Sequence, residues 1–158
     1  MAQIHERSDH ASTPHTANEV LVSLARYHKL RRENFQHLAE RVTDERVHIL
    51  LNRLVELEDV TIKVIREEQL RLQPECSTYL PLGPTTIKGE SHYVCRCGSH
   101  ATIDDAVWCA ITSDEVLDEL IDLLEASSAA PSVEELASRL RELERTRDRQ
   151  IATYVREE

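Results

Sequence analysis

The chain has only three glycines, one phenylalanine, one tryptophan and one methionine in 158 residues. Glycine this scarce leaves no glycine-rich loop to cradle a phosphate, and no nucleophile elbow is present. With aromatic residues at 4% the core must be aliphatic, which favours helices over a sheet. No apolar run reaches the ~18 residues of a membrane-spanning helix. The opening MAQIHERSDHASTPH also lacks the apolar stretch of a secretion signal, so a cytoplasmic protein is expected. Basic residues are outnumbered, 19 Lys+Arg against 29 Asp+Glu for a net charge of −10, and they are interspersed with acidic ones. Without a positive face, neither nucleic acid nor an anionic membrane is an expected partner. Four cysteines are too few for a secreted disulfide framework; in a reducing compartment they are thiols, metal ligands or redox groups. Paired carboxylates recur (Glu67-Glu68, Asp104-Asp105, Glu134-Glu135, Glu157-Glu158), and such abundance reads as solvated faces rather than acid–base machinery.

What is present is an amphipathic helical pattern. At 41% hydrophobic and 30% charged the composition is that of one globular domain, here residues 16–158 behind a mobile tail, 1–15. All three glycines and three of the five prolines lie between Pro74 and Gly98, so 73–101 is read as one irregular crossover between two helical halves. Thr16-Ala17-Asn18-Glu19 has the capping-box form, and it opens a helix running to about Val42. Val20, Leu21, Leu24, Phe35, Leu38, Ala39 and Val42 form its apolar stripe, interrupted midway by Tyr27, His28, Arg31 and Arg32. Thr43-Asp44 breaks and recaps the chain, and Val47, Leu50, Leu51, Leu54, Leu57, Thr61, Val64 and Ile65 continue the pattern to about Leu72. A third helix is expected from Ile103, with a break or continuation at Thr112-Ser113. A fourth starts at the Ser132-Val133-Glu134-Glu135 capping box and carries a Glu135/Arg139 pair on its wet side.

Short joins within each half and one long crossover predict an all-α, antiparallel four-helix bundle. In that layout residues 17–72 with 103–157 resemble the ferritin-like superfamily. The resemblance implies a di-iron centre built from a Glu on each of two helices and a Glu-x-x-His on each of the other two. This sequence departs from that set. Glu58 is followed at i+3 by Thr61 and Glu144 by Arg147, and the third and fourth helices contain no histidine. The one Glu-x-x-His, Glu45-Arg46-Val47-His48, falls at the first turn of helix 2. A member without the di-iron ligands is therefore expected. Arg147 could replace the lost cation by pairing with Glu58 or Asp59 across the bundle, but its place between Leu143 and Ile151 favours an edge position with its head in water. His28 is read as a hydrogen-bonded core histidine.

The densest chemistry is His92-Tyr93-Val94-Cys95-Arg96-Cys97-Gly98-Ser99-His100, with Cys76 and Cys109 elsewhere. Cys95, Cys97, His100, Cys76, Cys109 and His92 are candidate ligands for Zn or Fe. If 92–97 is a strand, its period of two sets His92 opposite the thiols, while His100 can swing back past Gly98. A redox dithiol and ordinary loop thiols are the other readings, and Arg96 favours the thiolate in either sharp one.

Together these point to a non-enzymatic binding or assembly module, a homodimer covering apolar surface left by Ile49-Leu50-Leu51, with a protein partner as a further possibility. The alternative is a metal or thiol-redox protein using the crossover. A third reading holds a small molecule near Tyr27, His28 and Arg31.

Overall fold

The computed structural model describes residues 16–71, 102, 104, 114–126 and 131–156. Within them are four helices and no β-strand: α1 (Ala17–Arg41), α2 (Glu45–Arg71), α3 (Asp114–Glu125) and α4 (Pro131–Arg156). The tail 1–15, the whole crossover 73–101 and residues 105–113 lie outside the described residues, as does the question of continuity through Thr112-Ser113.

The ends of α1 and α2 follow local chemistry. The Glu19 amide donates to Thr16 Oγ1 and the Thr16 amide donates to the Glu19 carboxylate, the reciprocal capping box. At Val42 the backbone turns extended. Asp44 then accepts from the amides of Arg46 (2.8 Å) and Val47 (3.3 Å), which caps α2 three residues after α1 ends. His48 donates through Nδ1 to the Ala39 carbonyl at 2.8 Å, so the only Glu-x-x-His of the sequence serves the turn. Helix α4 begins at Pro131, one residue before the expected Ser132 cap, because proline suits a first turn whose N–H would have no helical partner.

Each long helix buries one stripe. Contacts between α1 and α2 run Asn18 with Gln69, His28 with Glu58 and Ala39 with His48, so they descend one helix while ascending the other. Beyond this pair, α3 packs on α4, α1 on α3 and α2 on α4, an arrangement compatible with a bundle. Glu68 of α2 ties to α4 through Arg139 at 2.9 Å, which takes that guanidinium away from the expected Glu135 pairing. No described helix is long and apolar enough to cross a membrane.

The core is divided in two. One apolar cluster joins the first half of α1 (Leu21, Leu24) to Ile65, to α3 (Leu117, Leu120, Ile121) and to the first half of α4 (Leu136, Leu140). The other joins the second half of α1 (Phe35, Leu38) to the first half of α2 (Leu50, Leu51, Leu54) and to Ile151. Between them lie His28, Arg31, Glu58, Thr61 and Arg147, all buried.

Candidate functional site

The polar layer is assembled from i,i+3 pairs at the middle of three helices: His28/Arg31 on α1, Glu58/Thr61 on α2 and Glu144/Arg147 on α4. Positions three apart share a helix face, so each helix presents two polar groups where its neighbouring turns present leucine.

Glu58 is the hub. The His28 Nδ1–H donates to its Oε2 at 2.6 Å and Arg31 Nε donates to its Oε1 at 2.6 Å, with all three side chains 1% exposed. An ionised carboxylate can only accept, which assigns the Nδ1 proton to the imidazole. Arg31 reaches onward: its Nη2 donates to Glu144 Oε1 at 3.1 Å, so one guanidinium bridges carboxylates from two helices. Glu144 Oε2 in turn lies 3.1 Å from Arg147 Nη2, which also donates to the exposed Asp148 at 3.1 Å. The second imidazole nitrogen of His28 lies 3.9 Å from Glu144 Oε1. Thr61 donates its hydroxyl to the Leu57 carbonyl at 3.0 Å, so it satisfies itself on its own helix.

Burial works against an ionised Glu58, but the Arg31 charge, the His28 hydrogen bond and the charges of His28 and Arg147 outweigh it and bring the carboxyl down to about 2. Glu144 follows the same pattern: burial opposes ionisation, and Arg31, Arg147 and His28 overcome it and lower the pKa. Two carboxylates, from α2 and α4, thus face two guanidiniums and an imidazole.

A di-iron centre does not fit this donor set. Both Glu58 oxygens are held by His28 and Arg31, the Glu144 oxygens face Arg31 and Arg147, and Thr61 and Arg147 stand at the i+3 positions that would need histidine. Among the described residues no group of three His, Cys, Asp or Glu side chains is placed to hold a metal ion.

Arg147 and Glu58 both lie in this layer. Arg147 is 2% exposed, so its head is inside the bundle and not at a wet edge. The bridging role of Arg31 was not apparent from the sequence, because its partners lie 27 and 113 residues away. The thiol and imidazole candidates Cys76, His92, Cys95, Cys97, His100 and Cys109 lie outside the described residues. Comparison of the chain with protein-family models, with curated proteins and with solved structures found no match.

Proposed function

We propose that the chain is an antiparallel, ferritin-like four-helix bundle without a di-iron centre, acting in the cytoplasm as a non-enzymatic assembly module that works as a homodimer. The observation that carries the reading is the engagement of Glu58 and Glu144. Their oxygens are held by Arg31, His28 and Arg147, so this layer offers organised charge pairs rather than open coordination positions. A buried charged layer of this kind serves the bundle by fixing which helix faces meet. Function then falls to the outer surfaces. The descending-and-ascending contacts of α1 with α2 support the antiparallel arrangement of that pair.

The test is elemental analysis and a ferrous-oxidation assay on untagged protein, repeated on Cys95→Ser/Cys97→Ser. The expected result is no metal in the double variant and no iron oxidation by either protein. Iron retained in that variant but lost on a further Glu58→Gln change would refute the reading, because it would be held by the polar layer. One zinc or iron per chain that disappears with the two thiols would instead move the function to the crossover.

A further inference from the structure

The outward face of α2 carries a pattern that the other described helices do not use. Its exposed apolar residues are Ile49 (48%), Val60 (49%) and Leu70 (75%), and at 100° per residue they fall on one broad outer strip. Between Ile49 and Leu70 four charged residues lie along the same strip, all exposed: Arg53, Glu56, Lys63 and Glu67.

The order of these residues is self-complementary about Val60. Arg53 and Glu67 stand seven positions to either side of it, with opposite charge. Glu56 stands four positions before it and Lys63 three after, again with opposite charge. Ile49 stands eleven before and Leu70 ten after, both apolar. A strip whose two halves match in this way is what a two-fold axis requires, because an isologous contact sets residue i against residue j and j against i.

We infer that α2 pairs with α2 of a second copy, antiparallel, with Val60 of both copies at the axis. This rests on the assembly reading above and names its surface. Val60 meets Val60 at the centre, and Glu56 faces the partner's Lys63. Arg53 faces the partner's Glu67, and Ile49 covers the partner's Leu70 at each end, about 15 Å from the axis at 1.5 Å per residue. A parallel pairing would set each charge against its own kind, so the pattern selects direction as well as face. Within one chain Arg53 pairs with Glu56 at 2.7 Å and Lys63 with Glu67 at 3.8 Å, exposed contacts that hold the charges along the strip. A single helix against a single helix is a small interface, so the dimer is expected to be of moderate affinity and sensitive to salt.

Sedimentation equilibrium of the full chain, from about 1 to 100 µM, tests this. The wild type should dimerise, and Val60→Asp, which sets two like charges on the axis, should raise the dissociation constant by at least ~10-fold. Arg53→Glu alone should weaken the dimer by roughly 3- to 10-fold. Arg53→Glu/Glu67→Arg should return to within about 3-fold of wild type, since the pairs across the axis are restored with reversed sign. That double variant also loses both intrahelical pairs, so a role confined to α2 itself predicts further weakening instead of rescue. A circular-dichroism melt of each variant checks that the monomer is intact. A wild type that stays monomeric at ~100 µM overturns both this interface and the homodimer. A wild-type dimer indifferent to Val60→Asp and Arg53→Glu overturns the interface alone and leaves the assembly reading standing.

Discussion

Arg31 with Glu58 and Arg32 with Asp59 join the same two helices one residue apart, yet they live in different solvents. The first pair is 1% exposed on both sides, and the second is 31% and 53% exposed. The two have the same chemistry, so what separates them is desolvation. Ions at the rim keep most of their water and gain little from each other. Ions in the layer have given that water up, so each depends on its partners for nearly all its stabilisation, and losing one partner strands the others.

This contrast can be broken from the inside first. Arg31→Leu removes the cation that bridges Glu58 and Glu144, and should cost about 3–5 kcal/mol in a urea unfolding titration. Acid should act on the same group more gradually. The folded-state pKa of Glu58, about 2, lies below its ordinary 4.5. Its contribution is therefore complete above about pH 4.5 and fades as pH falls toward 2, a loss on the order of 3 kcal/mol. Glu58→Gln should be destabilised at neutral pH and show a flatter acid limb than wild type; an unchanged limb would mean that Glu58 is not the group titrating. Arg147→Leu leaves Glu144 with Arg31 as its remaining guanidinium, and should cost roughly 2–3 kcal/mol. At the rim, Arg32→Leu should cost less than about 1 kcal/mol, and that small effect should vanish in high salt. A similar small effect is expected for Arg141→Ala, whose guanidinium meets Asp122 and Glu125 on the α3–α4 surface. A rim substitution as damaging as Arg31→Leu would erase the distinction between the two environments.

Much of the fold was legible because its signals are local. The box at Thr16 to Glu19 and the cap at Asp44 place the α1 start and the α1–α2 turn, since both act within four residues. The apolar stripe named Leu21, Leu24, Leu38, Leu50, Leu51 and Leu54 correctly, because periodicity alone decides which face turns inward. Arg147 was misread as an edge residue for the complementary reason. One helix shows only that a charged side chain falls in its stripe; whether that charge is tolerable depends on what the other helices bring opposite. The available clue was three polar i,i+3 pairs, His28/Arg31, Glu58/Thr61 and Glu144/Arg147, each at the middle of a long helix.

The polar layer also acts as a ruler. Slide α2 past α1 by one heptad, about 10.5 Å at 1.5 Å per residue, and leucine would still meet leucine along most of the seam. Glu58, however, would come opposite Leu24 or Leu38, both fully or nearly fully buried, with Arg31 a heptad out of reach. Stranding that carboxylate costs about 3–5 kcal/mol, which holds the slipped population below about one chain in a hundred. A bundle of leucines alone has several nearly equal ways to stack its rods. This one has a single mark at which they line up, and Arg31→Leu/Glu58→Leu, which erases the mark, should give more than one set of amide resonances where the wild type gives one.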